Sequence, residues 1–83
     1  MSTSGKVFLV DDEKVVRLSL KRELQNKKYA VEDFESAQEA LASLSKDWPG
    51  VVVSDVMMPT MNGLTLLEKV KEVDPEIPVI LIT

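Results

Sequence analysis

Lys6-Val7-Phe8-Leu9-Val10-Asp11-Asp12-Glu13, residues 6–13 of an 83-residue chain, holds the reading on which the fold turns. Four apolar residues stand in unbroken succession between Gly5 and a pair of carboxylates. A strand with one wet face alternates apolar and polar side chains; a continuous run of this length fits a strand buried on both faces. Strands of that kind belong to parallel sheets covered by helices. The next residues supply a cover: Val16, Leu20 and Leu24 recur at i, i+4 and i+8 with Leu18 alongside, which predicts a helix over about 13–27.

The alternation continues outward from this unit. Residues 29–34 alternate loosely and predict a second, weaker strand at the edge of the sheet. Ser36 followed by Glu39 has the spacing of a capping box, and Ala37, Ala40, Leu41 and Leu44 continue it as a helix over about 36–46. Trp48-Pro49-Gly50 is a turn, and Val51-Val52-Val53-Ser54-Asp55 a third strand, over 51–55. Asn62 is a good N-cap for a helix over about 62–73 whose inner side is Leu64, Leu66, Leu67, Val70 and Val73; Asp74-Pro75 stops it. Pro78 leads into Val79-Ile80-Leu81-Ile82, a fourth strand over 79–83. A βαβαβαβ order implies an α/β domain with a parallel sheet, right-handed crossovers and helices on both faces. An apolar strand with no helix after it points to one incomplete domain spanning 1–83, a fragment with an exposed sheet edge that invites association.

Composition narrows the chemistry. The chain is 45% hydrophobic and 29% charged, as in one ordinary soluble domain. With no Cys and no His it holds no disulfide, no thiolate zinc site, no Ser-His-Asp triad and no imidazole-ligated metal. There is no apolar run near 20 residues and no basic-then-apolar leader, so the expectation is a cytoplasmic protein without a membrane segment. The net charge of −4 speaks against nonspecific nucleic-acid binding. It conceals a basic first helix carrying Lys14, Arg17, Lys21, Arg22, Lys27 and Lys28, which reads either as a solvated face or as a surface for an acidic partner, with Arg17 and Lys21 as the positions that would test docking.

In open parallel sheets, chemistry sits beyond the carboxyl ends of the strands. Asp11 and Asp12 follow strand one directly and Asp55 ends strand three, so if those strands are neighbours the three acids meet. Their repulsion calls for a cation, and an all-oxygen set without His or Cys suits a hard ion such as Mg²⁺. Each acid alone also has a structural reading: Asp12 as the N-cap of helix one, Asp11 or Asp55 as a polar strand end. Thr83 adds a hydroxyl to the same rim, although Thr is common in strands. Met57, Met58 and Met61 read as packing. Gly63 allows a close backbone approach or is simply a loop glycine at the helix entrance.

Taken together, Val10-Asp11-Asp12-Glu13, Val53-Ser54-Asp55-Val56-Met57-Met58-Pro59, Met61-Asn62-Gly63 and Pro78-Val79-Ile80-Leu81-Ile82-Thr83 resemble the receiver domains of two-component response regulators over essentially the whole chain. The resemblance implies a CheY-like, flavodoxin-like doubly wound sheet of order 2-1-3-4, with a fifth strand in the full family fold. It implies that Asp55 accepts a phosphoryl group from a histidine kinase or phosphotransfer domain. Asp12, Asp55 and the backbone carbonyl of Met57 would ligate Mg²⁺ directly, Asp11 would act mainly through a bound water, and Thr83 would be the switch hydroxyl. The family continues past the position of Thr83 with a helix, a fifth strand bearing a lysine and an aromatic residue, and a last helix. No lysine here stands at that motif position, so the expectation is a carboxy-truncated receiver that pairs with itself as a dimer or by segment exchange, and that meets nucleic acid only through an output domain outside this chain.

Two other functions compete. A non-phosphorylating assembly fragment needs only the fold and its sheet edge. A fragment of a haloacid-dehalogenase-like phosphohydrolase would also place an aspartate after strand one, but its Asp-x-Asp pattern fails at Glu13 and leaves Asp55 without a role. Nucleotide binding fails for want of a Gly-rich loop after strand one.

Overall fold

A computed structural model describes residues 5–59 and 61–82. Its elements run β1 (Lys6–Val10), α1 (Lys14–Asn26), β2 (Ala30–Phe34), α2 (Ala37–Ala42), β3 (Gly50–Asp55), α3 (Gly63–Val73) and β4 (Val79–Ile82). The strands are all parallel, in the order β2-β1-β3-β4. This is the α/β arrangement of the resemblance: β1 is central, and the chain crosses from one side of it to the other after β2.

Register sorts the side chains onto two faces. Phe8 lies opposite Glu32 and Val52, and Val10 opposite Phe34 and Ser54. Phe8, Val10 and Val52 point to one face, where Ala37 and Ala40 of α2 and Leu66 and Val70 of α3 close over them together with Met58 and Ile77. Full burial of a side chain such as Leu66, none of which reaches solvent, is worth about 1.5–3 kcal/mol. The Trp48 ring leans on Phe8 with centroids 4.2 Å apart, and Phe34 meets Phe8 edge-on at 4.9 Å. On the other face, Val7 and Leu9 are buried while α1 contributes no fully buried residue. Its predicted stripe is correspondingly half open: Leu20 and Leu24 are partly covered, and Val16 and Leu18 are exposed.

Local chemistry sets the helix ends. Ser36 Oγ accepts the Glu39 N–H at 3.2 Å, the backbone half of the expected capping box, and Asn62 Oδ1 accepts the Thr65 N–H at 2.9 Å. Helix α1 closes with the Tyr29 N–H on the Leu24 carbonyl and the Lys28 N–H on the Gln25 carbonyl, a Schellman motif in which Lys28 takes φ 76°.

The second helix departs from expectation. It ends at Ala42, not near 46: the Ser43 and Leu44 N–H groups tighten onto the carbonyls three residues back, at Ala40 and Leu41. Asp47 adopts φ 67° and its N–H donates to Asp74 Oδ2 at 2.9 Å, while Asp74 Oδ1 accepts the Glu76 N–H at 2.9 Å. Asp74 is buried, and these two N–H groups hold its carboxyl below the ordinary aspartate range. Lys71 Nζ closes the same corner by donating to the Ile77 carbonyl at 2.6 Å. Among the described residues no helix is long and apolar enough to cross a membrane.

Candidate functional site

The pairing of Val10 with Ser54 brings Asp11 and Asp55 side by side, one step further along. Asp12 follows on the rim. One carboxylate oxygen from each of Asp11, Asp12 and Asp55 lies within 4.8 Å of the other two. Asp11 is buried, Asp55 half-buried and Asp12 exposed, so the cluster opens to solvent on one side. Asp11, Glu13, Val16, Asp55 and Ile82 line a cleft of about 240 Å³ there.

Turn hydrogen bonds orient two of the three acids. Asp11 Oδ1 accepts the Glu13 N–H at 2.9 Å, and Asp55 Oδ1 accepts the Met57 N–H at 3.2 Å. Asp12 is not the N-cap of α1. Glu13 holds that position, without a side-chain hydrogen bond, which removes the structural reading of Asp12. Among the described residues none of the three carboxylates forms an ion pair. Close carboxylates left without a cation repel one another, and a wholly oxygen donor set at the mouth of a cleft fits a hard divalent cation such as Mg²⁺. Met57 lies in the loop directly after Asp55, with its N–H bound to the Asp55 carboxylate. Thr83 lies outside the described residues.

Three features differ from the sequence reading or were absent from it. Met58 is buried and Met61 packs against the core, whereas the Met57 side chain is 77% exposed and fills nothing. Arg17 and Lys21 are not free for docking. Arg17 Nε donates to Asp33 Oδ2 at 2.8 Å and Lys21 Nζ to Asp33 Oδ1 at 2.7 Å, so both carry α1 onto β2. Lys21 first and Arg17 after it hold the Asp33 carboxyl below its ordinary range, against the opposing effect of partial burial. Gly63 is a requirement of space. A Cβ there would lie 2.6 Å from the Asp55 carbonyl oxygen and 2.9 Å from Val56 Cα, and the Gly63 N–H donates to the Val56 carbonyl at 2.9 Å. The helix N-terminus is thus seated directly on the backbone that carries Asp55.

A parallel sheet of this order with acids at the tips of β1 and β3 defines a class of signalling domain. The family model of the response regulator receiver domain matches residues 7–83, and the chain belongs to that family. It is 45% identical over 83 residues to the C4-dicarboxylate transport transcriptional regulatory protein DctD of Rhizobium meliloti (strain 1021). It is 40% identical over 79 residues to the DNA-binding transcriptional regulator NtrC of Salmonella typhimurium (strain LT2). All of the chain matches DctD and 95% of it matches NtrC, yet it spans only 18% and 17% of their lengths. Among solved structures, the crystal structure of FixJ-N superposes with a TM-score of 0.85 at 36% identity, over 99% of this chain and 66% of that one. Vibrio cholerae chemotaxis protein CheY4 gives 0.85 at 32% identity, over 95% of this chain and 68% of that one. Both therefore extend beyond the part that the present chain matches.

Proposed function

We propose that this chain is the phosphoacceptor part of a response regulator, taking a phosphoryl group onto Asp55 from the phosphohistidine of a histidine kinase or phosphotransfer domain. The observation that carries the reading is the convergence of three carboxylates, none of them ion-paired among the described residues, at the carboxyl end of the central strands. Asp11, Asp12, Asp55 and the Met57 carbonyl would hold Mg²⁺. When bound, the ion supplies positive charge against the oxygens of the transferring group.

The chain's own residues do the positioning. One Asp55 oxygen is anchored by the Met57 N–H. The other carries no hydrogen bond among the described residues and is the nucleophile: its bond to phosphorus forms as the phosphorus–nitrogen bond of the donor breaks, and the electron pair returns to the imidazole. Asp11, fixed by its own turn, would add negative charge that helps to hold the cation. The product adds charge at the sheet edge, which a hydroxyl such as that of Thr83 would follow. The chain is a phosphoacceptor whose own chemistry is limited to self-catalysed transfer and loss. It works in the cytoplasm, and its output, in keeping with the transcriptional regulators it is similar to, is an attached DNA-binding part.

Intact mass after exposure to a small-molecule phosphodonor tests this. The expected result is a gain of one phosphoryl group that requires Mg²⁺ and is lost in Asp55→Asn. A folded chain that binds Mg²⁺ and gains no mass, or an Asp55→Asn variant that gains it equally, refutes the assignment.

A further inference from the structure

Arg17 joins α1, β2 and the acid cluster. Its side chain is only 12% exposed, and its fork is divided: Nε donates to Asp33 Oδ2 at 2.8 Å, Nη1 to the backbone carbonyl of Asp11 at 3.0 Å. The Asp11 N–H donates in turn to the carbonyl of Phe34, the neighbour of Asp33, at 3.1 Å. The four residues thus close a ring of hydrogen bonds, Arg17 to Asp33, along the chain to Phe34, back to Asp11 and so to Arg17. Within it the Asp11 backbone is held at both its N–H and its carbonyl, one residue past the end of the β1 ladder.

We propose that Arg17 is a positioning residue for the acid cluster: by gripping the Asp11 carbonyl it sets the angle at which Asp11 and Asp12 face Asp55, and so the affinity of the cluster for a divalent cation. The inference rests on the reading of that cluster as a Mg²⁺ site. Lys21 supplies an internal control, because it binds the other oxygen of the same Asp33 at 2.7 Å and has no hydrogen bond to Asp11. Charge alone argues in the opposite direction from position. Removing a cation held on the Asp11 carbonyl strengthens the attraction of the acid cluster for Mg²⁺, whereas removing a clamp weakens it.

Mg²⁺ titration calorimetry on the wild-type chain, Arg17→Gln, Arg17→Lys, Asp33→Asn and Lys21→Met separates the two, with thermal melting of each variant alongside. The expected results are an affinity about tenfold weaker in Arg17→Gln, the scale typical of lost outer-shell partners. A smaller loss is expected in Asp33→Asn, and affinity equal to or above wild type in Lys21→Met. Arg17→Lys keeps the charge without the planar fork and is also expected to bind more weakly; it carries the test if the glutamine variant does not melt cooperatively. A cooperatively melting Arg17→Gln that binds Mg²⁺ as tightly as wild type, or more tightly, overturns the inference and leaves Arg17 a helix-to-strand ion pair. Absence of Mg²⁺ binding in the wild-type chain overturns the metal reading and this inference with it.

Discussion

Replacing Gly63 with alanine tests the seat of α3 on the loop that carries Asp55. Gly63 has no positive φ, so alanine meets no conformational barrier and the argument is one of space alone. The added methyl would stand 2.6 Å from the Asp55 carbonyl oxygen, 2.9 Å from Val56 Cα and 3.0 Å from Leu81 Cδ2. Two of these neighbours are backbone atoms and cannot swing aside. Restoring ordinary contact requires α3 and the Asp55 loop to separate by several tenths of an ångström, which strains the 2.9 Å bond from the Gly63 N–H to the Val56 carbonyl. Overpacking of this kind costs about 1–3 kcal/mol, and alanine returns about 0.5–1 kcal/mol through the reduced entropy of the unfolded chain. The net loss is then about 0–2.5 kcal/mol, centred near 1 kcal/mol, which is roughly 4–8 °C in Tm for a domain of this size. Because the displaced atom belongs to Asp55, the rate of the phosphoryl transfer proposed for that residue should fall together with stability. Thermal melts and mass-detected phosphorylation of the two chains measure both. A Gly63→Ala chain as stable as wild type that reacts at the wild-type rate would refute the reasoning.

Two further outcomes follow from backbone and charge. Lys28→Gly relieves a side chain held at φ 76° in the Schellman turn, and it should raise stability by about 0.5–1 kcal/mol in urea titrations, since a non-glycine residue pays for that conformation while glycine does not. Asp33 and Asp74, whose folded carboxyls lie below their unfolded values, make a pH-dependent contribution to stability. Their contribution is complete above the unfolded aspartate value of about 3.9 and disappears as pH falls through the depressed folded values. Stability should therefore hold from neutral pH down to about pH 4 and drop below it, and Asp33→Asn or Asp74→Asn, each less stable at pH 7, should flatten the acid limb of the melting profile.

The elements that were readable from sequence are those whose causes are local. The continuous apolar runs of β1 and β4, the caps at Ser36 and Asn62 and the acids at the tips of β1 and β3 each depend on neighbours a few residues away, and the structure places them accordingly. The path of the chain after α2 was not readable, because the Asp47 N–H is held by Asp74, 27 positions away. The destination of Arg17 and Lys21 was hidden for the same reason. Helical spacing puts them together on α1, but only the crossover brings Asp33 beneath them. A signal did exist: Asp33 lies on the same face of the sheet as Val7 and Leu9, where an acid under an otherwise apolar cover requires a cationic partner. The sequence also left two readings open at Gly63, and three-dimensional contact decides between them.

The pairing of β1 with β3 carries two kinds of information at once. The same register that stacks Phe8 on Val52 also sets Asp11 beside Asp55. A slip of one residue would set Val51 or Val53 beside Phe8 in place of Val52 and carry Asp55 away from Asp11. Three consecutive valines keep an apolar side chain beside Phe8 in either register, so the acid cluster is the more exacting of the two: a misregistered chain is unable to present its carboxylates together. Natural variation in β3 is free to exchange one apolar side chain for another, but an insertion or deletion there would part the carboxylates even where the core stayed apolar.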